Sequence, residues 1–453
     1  MGESEVGIVM QDEISAYLEA NPEPEAVDLL IADSNGILRG KQFPGNQLEK
    51  LFEKGANLPY SLMFGDVRGS TPTALLQPPL VGDPDVTYRV QPGSLQPVPW
   101  ASVPTAQVFL RPVEQDGSND EADPITVLER VVDRLNRDGL HPVIALEGEF
   151  YLLDPTQTPP APVSPENGWP AFEGPQVYAL EPLQDVQGFI DTVKQVADAQ
   201  SIPLTSVLCE YGDSQFEMNL NHSGKIVEHA RHMLMLKRAV KNVAAANETL
   251  ASFMAQPLSE SGGSGCHLHV SLLDEKGRNI FADDEGHLLN AIGGLMATMA
   301  QSMAVCAPFA NSYRRFRKAG WSPNAANWGR NHRLVSLRIP VSGKNDLRVE
   351  HRIAGADVNP YLLTAAVLAG IHHGLVNKSD PGPESLEGEV PHPGNALPTR
   401  WREALGVFEA SEIFRDYFGE EFFKYFCRSK FAEEENFHLE VSDRDYGWCL
   451  RTV

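Results

Sequence analysis

Leu146-Glu147-Gly148-Glu149-Phe150 sits at the end of an apolar run and carries two carboxylates two residues apart. On a strand, successive side chains alternate between faces, so Glu147 and Glu149 leave the same face of a sheet. Ser264-Gly265-Cys266-His267-Leu268-His269-Val270-Ser271 repeats the pattern with two imidazoles. Between them, Glu210 and Glu217 bracket Gly212-Asp213-Ser214, a turn signal that folds one carboxylate back toward the other. Taking an ion out of water costs several kcal/mol, so carboxylates in apolar strands need a cation or a partner. Solvated strand faces explain any one pair. All three together point to one sheet carrying a divalent-metal site.

Outward from these stretches the chain reads as α+β. Val27–Asp33 and Ile37–Phe43 are apolar, strand-like runs around Ser34-Asn35-Gly36, which predicts a hairpin. A helix follows over Asn46–Lys54, and then a Pro-rich run through Trp100. These segments predict a small N-terminal domain over residues 1–112 and a larger domain over 113–453. In the larger part, Asp123-Pro124 opens an amphipathic helix that stops at Gly139. Further helices are predicted at Asp185–Gln200, Gly224–Glu248, Gly286–Cys306 and Pro360–Val376. Strands are predicted over Leu204–Leu220, His267–Leu272, Val335–Ile339 and Arg348–Ile353.

The formal net charge of −24 excludes nucleic acid as a natural partner. Against that background, Tyr313–Arg352 holds ten of the 37 basic residues, eight of them Arg, with only Asp346 and Glu350 opposing. Arg is the usual bidentate partner of phosphate and carboxylate, so the cluster predicts an anion pocket. In Arg348-Val349-Glu350-His351-Arg352, alternate positions share a face and set one carboxylate between two Arg. Five Cys without regular spacing do not form a disulfide framework. The acidic N-terminus lacks an apolar signal region and the longest apolar helix contains Asn290 and Gln301, so a cytoplasmic protein with no membrane span is expected.

Six ordered motifs resemble the glutamine synthetase family over essentially the whole chain: E-x-E-F at Glu147, E-x6-E ending in Gln215-Phe216-Glu217, G-S-G-x-H-x-H-x-S from Gly263, Asn311-Ser312-Tyr313-Arg314-Arg315, Asn331-x-Arg333 with Arg338-Ile339-Pro340, and Arg348-x-Glu350-x-Arg352. The resemblance implies a β-grasp-like N-terminal domain and a catalytic domain with a curved antiparallel sheet backed by helices. It also implies Mg²⁺ or Mn²⁺, two or more per site, with Glu149, Glu210 and Glu217 on one ion and Glu147, His267 and Glu350 on the other. His269, Ser271, Arg338 and Arg348 match nucleotide-contacting positions. Arg315, Arg333 and Arg352 match positions that grip glutamate or the transferring phosphoryl group, beside the loop at Gly263. Asp66 matches an N-terminal Asp that reaches a neighbouring subunit's site and helps deprotonate the amine. Family members are rings, which implies a dodecamer of two hexamers. Oxygen-rich ligand sets with one His also suit hard cations on chemical grounds, and no Gly-x4-Gly-Lys-Ser/Thr loop is present.

One departure bears on the substrate. Ammonia-using members carry a Glu where this chain has Ser322, in Gly320-Trp321-Ser322-Pro323. A serine neither attracts a cation strongly nor closes the pocket. The resemblance is therefore to the γ-glutamylpolyamine (γ-glutamylputrescine) synthetase-like branch, which Val98-Pro99-Trp100 and Val441-Ser442-Asp443 also match. The expected reaction joins glutamate to a primary amine at the expense of ATP; glutamine synthesis from ammonia is the rival. Trp321 and Trp328 flank the slot, as cation-binding faces, as an apolar wall or as plain core. The sequence leaves monoamine and polyamine open. Gln256 and Gly262 depart from the family's common Lys and Asn or Asp.

Overall fold

The structure, a computed structural model, describes residues 3–72, 75, 81–165, 168, 172, 174–316 and 322–453. Its first sheet contains β1 (Ala26–Ala32), β2 (Leu38–Pro44), β3 (Ala56–Pro59), β4 (Asp85–Val90), β5 (Gln96–Pro97) and β6 (Thr105–Pro112), in the order β2-β1-β6-β4-β3 with β5 on β6. β1 and β6 run parallel at its centre and the other pairs are antiparallel. Both central strands are largely buried, which agrees with their mostly apolar sequences, and Gln107 and Arg111 of β6 are buried with them.

The turn of the predicted hairpin does more than reverse the chain. Asp33 Oδ1 accepts from the Asn35 and Ile37 N–H groups, and Arg39 Nε donates to Oδ2 at 3.0 Å. Gly36 has φ of +73°, and a Cβ there would meet Asn359 Cα at 2.8 Å. Asn359 donates to the Asp33 carbonyl while its own oxygen caps the helix Pro360–Asn377. The hairpin thus docks on the start of a core helix of the other sheet's layer.

Among the described residues the second sheet has nine strands: β7 (His141–Asp154), β8 (Ala161–Pro162), β9 (Leu204–Cys209), β10 (Gln215–Leu220), β11 (Leu250–Ser252), β12 (Cys266–Leu273), β14 (Trp328–Arg330), β15 (Leu337–Ile339) and β16 (Val349–His351). β13 (Ala325–Ala326) pairs instead with Asn395–Ala396. The order is β14-β15-β16-β12-β7-β10-β9, with β8 and β11 on β7, and only β14 and β15 are parallel. Strongly curled and backed by helices, it gives the α+β fold expected. β7 turns Leu146, Phe150 and Leu152 into the core, where Phe150 packs on Phe189, Phe216 and Phe253. The helix Ile226–Ala246 lies behind it, and His229 Nε2 accepts the Leu146 N–H at 3.1 Å. Burial lowers the His229 pKa to about 4, as that acceptor role requires.

Several boundaries moved by one or two residues. The predicted 185–200, 224–248 and 360–376 helices run over Gln187–Ala199, Ile226–Ala246 and Pro360–Asn377. The helix Glu3–Ala20 was not predicted, nor was the division of the C-terminus into Trp401–Glu409, Glu412–Phe418, Glu420–Leu439 and Asp443–Cys449. The last long helix pins the Asp66 segment. Tyr425 stacks on Phe64 at 4.9 Å, Ser429 Oγ donates to the Phe64 carbonyl, and Glu433 accepts the Val67 N–H.

Glu285–Cys306 is the one helix among the described residues long and apolar enough to cross a membrane by length and composition. It packs along Pro360–Asn377 through glycines. A Cβ on Gly294 would lie 2.2 Å from the Gly370 carbonyl oxygen and 2.4 Å from Gly374 Cα. Backbone cannot yield there, so Gly294→Ala should destabilise the protein by about 1–3 kcal/mol. Thermal and urea midpoints should both fall, while Gly406→Ala, with open space around its Cβ position, serves as the control.

Candidate active site

Strand register assembles the predicted residues in rows. Glu149 lies opposite Glu217, and His267 lies opposite Glu147. His269 faces Glu350, which in turn faces Arg338. All belong to the open face of the curled sheet, because the alternate residues are the core apolars. Glu210 follows β9, and its N–H bonds the Gln215 carbonyl across the Gly212-Asp213-Ser214 turn, where Ser214 has φ of +59°.

Ligand atoms of Glu147, His267 and Glu350 all lie within 4.8 Å of one another, as do those of Glu149, Glu217 and His267. His267 Nδ1 is 3.4 Å from Glu147 and 3.9 Å from Glu350, and its Nε2 is 3.8 Å from Glu149. His269 Nε2 stands 3.0 Å from Glu147. The first trio matches the expected set. The second holds His267 and does not include Glu210. Five of the six predicted ligands thus fall into these two trios, and a hard divalent cation with oxygen ligands and one imidazole fits them.

Charge is distributed unevenly over this face. Burial opposes ionisation of Glu350, but Arg352, His269 and His267 outweigh it and bring its pKa to about 2. Arg338 adds a 2.9 Å contact and Arg352 a very close one. Glu147 is likewise held well below the usual range against its burial, by His267 and His269. On the other side, burial and the neighbouring Glu149 raise Glu210 to about 7. Burial, then Glu147, Glu149 and Glu210, push Glu217 well above the ordinary value.

The Arg residues fall into different settings. Arg315 is buried and donates through Nη1 to the Ile353 and Ala354 carbonyls at 2.7 and 3.0 Å. It also crowds the glycine loop: a Cβ on Gly263 would meet Arg315 Cγ at 2.6 Å, and one on Gly265 would meet Nη2 at 2.8 Å. Only glycine lets that backbone approach. Arg333 is exposed in a turn, and its charge offsets a small part of the rise at Glu210. Arg348 Nε donates to His269 Nδ1 at 3.2 Å. Ser271 is half-buried one alternation beyond His269 on β12.

The expected acceptor pocket is Asp66, Trp321, Ser322 and Trp328. Trp321 lies outside the described residues. Trp328 is core: it is buried, and its indole N–H donates to the Gly382 carbonyl at 3.2 Å. Ser322 is half-buried. Asp66 lines a cavity of about 760 Å³ shared with Lys237, Phe253, Asp357 and Trp401, which none of the six ligands lines. Its carboxylate accepts from Arg68 and from the Arg68 and Ser70 N–H groups. These bonds outweigh its burial and lower its pKa. Sequence reasoning gave no role to Gln215, Tyr151 or the Gly265 N–H, all of which touch the site or its loop. Their signal was parity: Tyr151 is two beyond Glu149, and Gln215 two before Glu217.

Residues 121–449 match the family model described as "Glutamine synthetase, catalytic domain". The chain is 36% identical over 459 aligned residues to the gamma-glutamylputrescine synthetase PuuA of Escherichia coli strain K12, covering 99% of this chain and 96% of the relative. It is 29% identical to a glutamate–isopropylamine ligase of a Pseudomonas species, covering 90% of this chain and 91% of that one. Among solved structures, a GmaS/ADP complex superposes with a TM-score of 0.81 at 24% identity, over 94% of this chain and 97% of that one, which is a likeness of fold.

The uneven charge has a measurable consequence. Folding raises Glu210 from 4.5 to about 7, so between those values the folded chain binds more protons than the unfolded one. Stability from this group is full below the unfolded value and is lost as pH rises through the folded one. The lowered groups, Glu147 and Glu350, exert their opposite effect below the ordinary carboxylate range. In EDTA the wild type should therefore lose melting temperature relative to Glu210→Gln as pH rises from about 5 to about 8, and calorimetry of the two proteins checks the difference. Mn²⁺ should restore more of the wild-type loss at the higher pH.

Proposed function

The chain belongs to the glutamine synthetase family, and on that premise we propose an ATP-dependent ligase that phosphorylates the γ-carboxylate of glutamate and joins it to a primary amine. The products are a γ-glutamylamide, ADP and phosphate. The observation that carries this is the shared face on which Glu147, Glu149, Glu217, His267 and Glu350 converge, flanked by Arg338 and Arg352. Ser322, where ammonia users have an acid, supports an organic amine over ammonia.

Glu147, His267 and Glu350 would hold one Mg²⁺ or Mn²⁺, and Glu149 and Glu217 the other, with Glu210 closing on it once ionised. Such cations, when bound, neutralise nucleotide phosphates and polarise the transferred phosphoryl group. The chain does the rest. His269, Ser271, Arg338 and Arg348 bind the nucleotide along the β12, β15 and β16 side. Arg352 and Arg333 stabilise charge on the moving phosphoryl group, and Arg315 shapes the glutamate side beside Gly263 with its Nη2. Glu350, locked between two Arg, stays ionised at any working pH.

We place the division of the chain after residue 112, on the strength of two hydrophobic clusters, one dominated by strands β1–β6 and the other by everything beyond residue 124. The assembly we propose is a dodecamer of two hexameric rings, with Asp66 serving a neighbour's site. Its lowered pKa suits it to attract an ammonium group more than to accept a proton. The five cysteines, all free and four of them buried, are in keeping with a cytoplasmic protein.

Phosphate release with glutamate, ATP and a panel of putrescine, ethanolamine, isopropylamine and ammonia tests the acceptor. An organic amine should lead; ammonia ahead of every organic amine would refute the assignment. Ser322→Glu should shift the preference toward ammonia by about tenfold, the scale of one pocket contact, and an unchanged profile would mean that another feature selects the amine. Glu350→Gln should lower turnover on the order of 100-fold with the oligomer intact by light scattering. Unchanged turnover would remove Glu350 from the site.

A further inference from the structure

Gln215 is fully buried and meets the metal-ligand face and the glycine loop with one amide group. Its Nε2 donates to Glu149 Oε2 at 3.1 Å and to the Gly263 carbonyl at 3.2 Å, and it lies 3.4 Å from Ser264 Oγ. Its Oε1 accepts the Gly212 N–H at 2.8 Å, which fixes the orientation of the amide. Tyr151, directly across the β7–β10 ladder, sets its hydroxyl 3.2 Å from that oxygen and donates to the Gly262 carbonyl at 2.6 Å. The Gly265 N–H adds a second donor to Glu149 Oε2, at 2.8 Å.

Two donors on Oε2 leave Glu149 Oε1 turned toward His267 and the cluster. Gly262 and Gly263, which need glycine's flexibility or slimness, are tied at their carbonyls by Tyr151 and Gln215. From this geometry we infer that Gln215 is a positioning residue that couples cation binding at Glu149 to the order of the loop 257–264. The amide does so by sharing its two N–H groups between the carboxylate and the loop. A bound cation that draws Glu149 into one orientation fixes the amide, and the amide fixes Gly263. Conversely, glutamate closing the loop would tighten the cation site, because coupling between two sites is reciprocal. The inference rests on the cation site proposed above but not on the identity of the amine.

The test uses the whole, substrate-free protein. Gln215→Met keeps the length and removes both donors. Mn²⁺ binding, followed by electron paramagnetic resonance, should weaken at one class of site by roughly 10- to 100-fold and leave the other class unchanged. The loop carries the exposed Glu260, so limited digestion with a Glu-specific protease reports its order. Mn²⁺ should slow that cut in the wild type and have no effect on it in Gln215→Met. Tyr151→Phe, which removes the loop contacts to Gly262 and Ser261 and the one to Gln215 Oε1 but leaves both donors to Glu149, should raise the cutting rate while keeping wild-type Mn²⁺ affinity. A purely structural glutamine would change the melting temperature without separating the two Mn²⁺ classes. Wild-type Mn²⁺ affinity and cation-dependent protection in Gln215→Met would overturn the coupling alone. A wild-type protein that binds no Mn²⁺ would overturn the cation site and the coupling with it.

Discussion

Carboxylates crowded on one buried sheet face are the constraint on which the rest of this structure depends. Glu149, Glu217 and Glu350 are each almost wholly withdrawn from water, and Glu147 and Glu210 are close by. Repulsion and desolvation in such a group amount to several kcal/mol per ion unless charge of the other sign is supplied. The protein supplies it on one side only. Arg338, Arg352, His267 and His269 surround Glu350 and Glu147, whose pKa values fall. Around Glu210 the Tyr211 N–H, Arg352 and Arg333 do not outweigh burial, around Glu217 the Asn219 side chain does not, and both pKa values rise. One half of the face is thus partly neutralised by the chain's own Arg and His, and the other half depends on a bound cation for its charge balance.

Holding that arrangement requires a rigid support, and the packing behind the sheet provides it. Phe150, Phe216 and Phe253 fill the space beneath the ligand rows. His229 ties the Leu146 N–H to the helix behind. At the far end, the Gly294–Gly374 contact lets two largely apolar helices approach to backbone distance. A site that stores like-charge repulsion is stabilised elsewhere in the molecule, and here the apolar layer behind the sheet does so.

Much of this was legible because a strand's period is two. Leu146–Phe150 shows its two faces in five letters, and Cys266–Ser271 does so again. The turn that returns Glu217 beside Glu149 was also visible, since Gly-Asp-Ser has a mechanism for reversing a chain. What sequence could not give was partnership across strands. Nothing local marks Gln215 as the partner of Glu149, and nothing distinguishes Trp328 as core from Trp328 as a pocket wall, because both readings need a large apolar side chain. The second trio of close ligand atoms likewise includes His267 and not Glu210, a matter of a side chain's reach after the turn. The helix Glu3–Ala20 escaped because its apolar residues follow no sharp stripe, and the C-terminal phenylalanines because one continuous run served three helices.

Asp66 shows how far one chain can go toward the proposed chemistry. The loop bearing it is fixed from below by Phe64 on Tyr425 and from the side by Glu433. Its carboxylate is oriented by two backbone N–H groups and by the exposed Arg68. Such rigidity around an ionised group is what an electrostatic anchor needs, since preorganised charge acts without reorganising. Yet the cavity beside it is walled by Lys237 and Phe253, behind the sheet, and the ligand rows open on the other face. If Asp66 serves ligation, it serves another copy's cluster. The ring in our proposal is then part of the catalytic apparatus and not merely a way of packing subunits.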